Sequence, residues 1–257
     1  MATNELNDIT GFVLREFPYR ETSKIIEVFT DKIGRISIIA KGVLKKNSKN
    51  LALTNRFMKV NYSLYSSGKD FYGIREGRVI ESYKQSQGNF DIILYKSAIC
   101  DLLLKTIDGD QVDEVYNLLD KAFEAFEEAD YGQINIFLGF LIKYLSFSGL
   151  KPNFYPRAIR GKIIGDGRFY FSIEEASLVR ADDKVEDKVY LSHEDLNYFL
   201  GLLYTPSDKL AELRQSPGYQ KVGRLIIDYC LSKLDLKKFS SMDWVYKQLS
   251  ERNTDVL

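Results

Sequence analysis

At 257 residues, with 45% hydrophobic and 28% charged side chains, the chain suits one large domain or two small ones and can bury a normal core, which excludes a disordered chain. Thirty-six basic side chains balance thirty-six acidic ones, so no bulk charge draws it to a partner. The longest apolar runs are far too short for a bilayer, the first residues read as no signal peptide, and two distant cysteines suit a reducing compartment; the expectation is a cytoplasmic protein that meets no membrane.

The charge is unevenly spread. Residues 1–80 carry fourteen Lys and Arg against eight Asp and Glu, 81–150 carry five against twelve, and 151–257 seventeen against sixteen. Within 32–69 there are nine basic residues (Lys32, Arg35, Lys41, Lys45, Lys46, Lys49, Arg56, Lys59, Lys69) and no acid. A one-sign run gathers polyanions, nucleic-acid phosphates above all. A solvated sheet surface that happens to lack acids is the plainer alternative.

The first eighty residues read as strands. Segments 9–14 and 23–30 are rich in Ile, Val and Phe, with a turn signal at 31–34. Segment 35–41 alternates, Ile36, Ile38 and Ala40 facing one way and Arg35, Ser37 and Lys41 the other. Segment 57–65 also alternates, with Met58, Val60, Tyr62 and Leu64 inward, and a turn at 67–70 leads into a fifth strand at 71–75. Five short strands suit a small closed barrel such as an OB-fold. Its outward side carries Arg35, Lys41 and Lys59 beside Phe57 and Tyr65, cations to follow a backbone and rings to stack on bases. The 42–53 loop adds Lys45, Lys46 and Lys49; having little apolar content, it is expected to be mobile and to settle on phosphates. These eight residues are the candidate DNA-binding set.

From residue 89 the period becomes helical. One helix covers 91–107, and a second follows an Asp110 cap with Val112, Val115, Leu119, Ala122 and Phe126 on one face. A third, 134–147, is apolar nearly all round and should be the buried centre. The 149–191 stretch is irregular, with short β pieces near 162–164 and 169–173 and a turn at 165–167. Helices resume at Ser192, which forms a capping box with Asp195. Ser216-Pro217 opens another at 218–234, with Val222, Ile226 and Cys230 on one stripe, and 242–249 is the last.

No residue set reads as catalytic. Walker, GxSxG, HExxH and CxxC patterns are missing from the sequence. His193 opens a helix with no nucleophile motif, and the carboxylate pairs at 174–175 and 182–183 diverge, so holding magnesium for a nuclease would need further ligands. The reading is a non-enzyme with no cofactor and no metal.

Several stretches together carry a pattern: Gly11-Phe-Val-Leu-Arg15, Tyr19-Arg-Glu-Thr-Ser-Lys24, Thr30, Gly34, Ala40-Lys-Gly42, Asn47-Ser48 and Phe57, then Gly149-Leu150-x-Pro152 and Phe169-Tyr-Phe-Ser172. In this order they resemble the RecO family of DNA recombination and repair proteins. The resemblance implies an α+β chain, with an OB-fold over 1–80 and an α-helical domain over 81–257 into which a small β-containing knuckle is inserted at about 149–191. It implies binding of single- and double-stranded DNA, annealing of complementary strands, and work with RecR to load RecA on DNA coated by single-strand-binding protein (SSB). Docking of the acidic, apolar SSB C-terminal tail is a further implied role.

Many members hold zinc with two CxxC pairs, and by resemblance those positions here are Arg157, Arg160, Arg180 and Asp183. None is a thiolate, so zinc is not expected. The knuckle should instead be held by packing of Phe154, Tyr155, Phe169, Phe171 and Leu178 and by an ion pair from Asp183 to one of the arginines; alternatively the three arginines extend the DNA surface. The SSB tail would need an apolar pocket rimmed by cations, for which Lys105, Lys121, Lys143, Arg157 and Arg160 are candidates, with Tyr144, Phe147 and Phe154 as lining. The alternative function is a protein-interaction scaffold built on an OB barrel that binds no DNA.

Overall fold

A computed structural model describes residues 5–66, 70–107, 112–156, 158–159, 161–163 and 168–251. Lys69 and most of the 67–70 turn, the Asp110 cap, Arg157, Arg160 and the 165–167 turn lie outside the described residues. The chain divides into two compact units, Met1–Gly88 with Cys100–Asn117, and Asn89–Ile99 with Leu118–Leu257.

The first unit is built on five strands: β1 (Glu5–Tyr19), β2 (Ser23–Thr30), β3 (Gly34–Ala40), β4 (Lys59–Ser66) and β5 (Tyr72–Glu81). They close into a barrel in the order β1-β2-β3-β5-β4, as the alternating sequence predicts for an OB-fold. Its filling is Val13, Ile26, Val28, Ile36, Ile38, Leu53, Val60, Tyr62 and Leu64, all buried. Tyr62 satisfies its hydroxyl inside by donating to the Leu53 carbonyl at 2.6 Å. Neighbouring strands run antiparallel except β3 and β5, a parallel pair that matches only Ile38 with Tyr72 and Ile39 with Gly73.

Two strands run further than expected. β1 extends well past 9–14 because the register shifts between Val13 and Arg15; the bulge lets both Val13 and Leu14 bury their side chains while the strand continues outward. β5 likewise continues to Glu81, whereas β4 starts at Lys59 and leaves Phe57 outside the ladder. Outside the barrel an aromatic layer forms where Tyr116 meets Phe12 and Phe29 at centroid distances of 5.4 and 5.9 Å.

The helices are α1 (Phe90–Thr106), α2 (Val112–Glu128), α3 (Gln133–Phe147), α4 (His193–Tyr204), α5 (Tyr219–Lys233) and α6 (Ser240–Glu251). In the second unit α3 is the buried centre, with eleven of its fifteen residues inside. The N-terminal part of α1 packs there through Tyr95, which stacks on Phe126 and Phe137 at 6.2 and 5.3 Å. α4 opens on the Ser192–Asp195 capping box. The same Asp195 carboxylate accepts from Ser216 Oγ at 2.9 Å and Lys221 Nζ at 2.6 Å, binding the start of α5. Pro217 precedes the Gly218 cap and is not part of the first helical turn. Cys100 and Cys230 are buried thiols, and burial pushes Cys230 up to about 12.

Between α3 and α4 lies the knuckle: a short ribbon, β6 (Ala158–Ile159) with β7 (Lys162–Ile163), and a sheet ordered β10-β8-β9, from β8 (Phe169–Ser172), β9 (Ser177–Val179) and β10 (Lys188–Leu191). Phe154, Phe169 and Phe171 are buried, and Phe171 meets Phe199 and Tyr229 at 5.6 Å each. Two expectations need correction. Tyr155 is 67% exposed and packs no core. The Arg180 guanidinium pairs with Asp182, not Asp183, at 3.2 Å, both well exposed and so worth little, while Asp183 accepts from the Arg180 backbone N–H at 2.6 Å; Arg157 and Arg160, the other arginines considered for Asp183, lie outside the described residues. The polar tie is Asp187, which receives Ser172 Oγ and the Glu174 N–H at 2.7 Å each. Burial alone would raise its carboxyl, but these bonds hold it below the usual carboxylate value. Among the described residues no cluster of His, Cys, Asp and Glu could hold a metal ion, and no helix is long and apolar enough to cross a membrane.

Candidate nucleic-acid interface

Strand register builds one continuous face on the barrel. Phe17, Ile25 and Ile39 stand opposite one another across β1, β2 and β3. Two residues along lie Arg15, Glu27 and Ser37, and beyond them Phe29 opposite Arg35. On the other side of the apolar row Tyr19 faces Ser23, and Lys41 follows Ala40 at the end of β3. A strand period of two points these side chains away from the barrel interior, which Ile26, Val28, Ile36 and Ile38 in the opposite phase fill; of them Ser23, Ile25 and Phe29 are covered, Phe29 by Tyr116.

The face holds two hollows. One, of about 850 Å³, is lined by Arg15, Phe17, Glu27, Arg35, Ser37 and Lys105 among others. The other, of about 790 Å³, lies among Tyr19, Arg20, Ser23, Ile39, Lys41 and Lys45. The Arg20 guanidinium sits 5.1 Å from the Tyr19 ring, and Arg35 donates through Nη1 to the Leu104 carbonyl, which fixes its head over the first hollow. Glu27, Asp70 and Glu21 are discordant charges along it; the Glu27 carboxylate accepts from Ser37 Oγ at 2.8 Å. A polyanion laid here meets cations at both ends, an apolar strip between them, and three carboxylates, Glu27 and Asp70 in the first hollow and Glu21 in the second.

The 42–53 loop is less uniformly polar and irregular than its composition suggests. Gly42 turns in the left-handed region at φ 70°, the Leu44 N–H donates to the Thr22 carbonyl at 2.9 Å, and Ser48 and Leu53 close turns on Lys45 and Asn50. A 3₁₀ turn, Ala52–Thr54, ends the loop. Val43 and Leu53 are buried and pin it at both ends, an anchoring that two apolar residues suffice to supply. Lys45, Lys46 and Lys49 are exposed along it.

The eight candidate residues are not all gathered on this face. Lys41 and Lys45 share the second hollow, and Arg35 lies in the first. Lys59 is half-buried, its amine 5.7 Å from the Phe12 ring. Phe57 stands at φ 72° just before β4 with the Arg56 guanidinium 4.9 Å over its ring, and Arg56 is itself held by the Leu14 carbonyl at 2.8 Å and Asp101 at 3.0 Å. The Tyr65 ring lies on Gly73, where a Cβ would come within 2.2 Å of it. Arg15, Phe17, Tyr19 and Arg20 join the face without having been singled out, although Arg15, Phe17 and Tyr19 alternate in the sequence as one strand side.

Among the residues considered for a protein partner, Lys143 donates to the Leu202 and Thr205 carbonyls at 3.0 and 2.6 Å, tying α3 to the end of α4. Burial pushes its amine down to about 8. Tyr144 and Phe154 are buried, and Phe147 is exposed.

Family comparison places the whole of this architecture. The model for recombination protein O, N terminal, matches residues 5–83, and that for recombination protein O, C terminal, matches 87–242. A DNA repair protein RecO of Clostridium novyi is 32% identical over 165 residues, 64% of each chain; the matched stretch thus spans just under two thirds of that relative. The RecO proteins of Caldicellulosiruptor saccharolyticus and Alkaliphilus metalliredigens match at lower identity and greater length: 27% over 230 residues (89% of this chain, 92% of the relative) and 25% over 240 (91% and 96%).

Proposed function

The chain belongs to the RecO family of recombinational DNA repair proteins, and from that premise we propose that it is a non-catalytic mediator that binds single- and double-stranded DNA through the outer face of its barrel and anneals complementary strands. The observation that carries the reading is the β1–β2–β3 face, where Phe17 and Ile39 lie between the Arg15/Arg35 and Arg20/Lys41/Lys45 groups. Apolar and aromatic surface between cations is what unpaired bases and their phosphates require together. Annealing follows from screening: two strands repel until cations lie between them, and a protein holding both lowers that barrier. No bond is made or broken, so no cofactor enters.

The family premise extends the proposal to the partners: RecR, the SSB tail, and RecA loading at SSB-coated gaps, in the cytoplasm at the nucleoid. Lys45, Lys46, Lys49 and Lys41 are the proposed phosphate contacts, with Arg35 adding charge from the first hollow. With about four phosphates engaged, log affinity for oligo-dT falls against log salt with a slope of roughly −3. A Lys45→Ala, Lys46→Ala, Lys49→Ala variant flattens that slope and leaves the melting curve nearly unchanged. A slope equal to that of the parent protein removes the loop from the interface, and no gel shift at low salt favours the scaffold alternative.

A further inference from the structure

Leu44 and Leu51 stand 40% and 41% exposed on a loop whose other large apolar residues, Val43 and Leu53, are in the core at 2% and 4%. A lone exposed leucine is ordinary. These two are held in place by backbone bonds: Leu44 through its N–H to the Thr22 carbonyl at 2.9 Å, and Leu51 through a carbonyl that accepts both the Thr54 N–H and the Thr54 hydroxyl, at 3.1 and 2.8 Å. Thr54 is fully buried, so the turn that presents Leu51 is anchored in the interior. Between the leucines lie Lys45, Lys46 and Lys49, and no acid occurs anywhere in 32–69.

We infer that Leu44 and Leu51 are base-wedging residues, which slip against or between the bases of the DNA strand whose phosphates Lys45, Lys46 and Lys49 neutralise. This rests on the DNA-binding reading and goes beyond it, since phosphate contacts alone leave the bases stacked. Apolar side chains flanked by cations are the means by which proteins unstack base steps. The occupant is a nucleic-acid strand with exposed or frayed bases: its phosphates suit Lys45, Lys46 and Lys49, which outnumber the one carboxylate, Glu21, that lines the hollow with Lys45, and its base faces are the apolar surface that two exposed leucines can cover. For annealing, unstacked bases are bases ready to test a second strand.

The test uses the full chain and an oligo-dT strand with 2-aminopurine at its centre, whose fluorescence rises when the base is unstacked. Binding of the parent protein raises the signal. The Leu44→Ser, Leu51→Ser variant, both sites being exposed, keeps the melting temperature and the salt slope, loses most of the fluorescence rise, and binds about ten-fold more weakly. A variant that binds and brightens the probe like the parent overturns the wedge and leaves the DNA-binding reading standing. A parent protein that binds no oligonucleotide overturns both. An acidic peptide as the true occupant shows as peptide binding lost in the variant with the fluorescence rise intact, which also overturns the wedge.

Discussion

Phe17 keeps 40% of its surface in water on a strand that has ample interior for phenylalanine, and its neighbours across the sheet are Ile25 and Ile39. Base stacking on an aromatic side chain contributes roughly 1–3 kcal/mol, so Phe17→Ala should weaken oligo-dT binding about five- to a hundred-fold in a titration while the melting temperature holds. Phe57, named with Tyr65 as a stacking ring from alternation alone, lies under Arg56. Alternation assigns a side of the strand; it cannot report that a neighbouring guanidinium already covers that side. Arg15 and Phe17 went unseen for the opposite reason. The bulge after Val13 breaks the alternation of β1 at that point, and the acid-free run that directs attention begins fifteen residues further on. Lys143 offers a test of another kind. The folded chain releases its proton near pH 8 and the unfolded chain near 10.5, so between those values the unfolded state binds more protons and stability from this residue rises with pH. Urea midpoints of the parent protein and Lys143→Met should therefore diverge, in favour of the parent, from pH 7.5 to 9.5.

At the scale of elements, strands and helices with long apolar runs were legible to within a few residues. Ser23–Thr30 and Gln133–Phe147 coincide with their sequence patterns almost residue for residue, because core and solvent sort the side chains without help from distant partners. The knuckle was not legible in the same way. Its strands are two to four residues long, too short to show a period, and its polar tie runs from Asp187 back to Ser172 and Glu174, a pairing that spacing does not reveal. A hydrogen-bonded carboxylate and the buried rings of Phe154, Phe169 and Phe171 hold the knuckle together. Asp187→Ala should cost about 1–3 kcal/mol, since it strands a hydroxyl and an N–H, measurable as a lower urea midpoint. The stability Asp187 contributes is complete above 3.8, its ordinary value, and is lost as the pH falls through the lowered one. Added zinc should leave the midpoint of the parent protein where it is.

For the molecule as a whole, a pI near 6.6 and zero net charge conceal a basic first third, the local excess on which the proposed DNA binding rests. The barrel that carries it is a hoop fastened by a clasp two residues wide, Ile38 and Ile39 against Tyr72 and Gly73. Short pairings open first, so the amide hydrogens of Tyr72 and Gly73 should exchange with deuterium ahead of those elsewhere in the hoop. Ile39 belongs both to the clasp and to the floor of the second hollow. On the proposed function, grip on a strand and soundness of the hoop are therefore one property, and an oligonucleotide seated over Ile39 should slow the exchange as it binds.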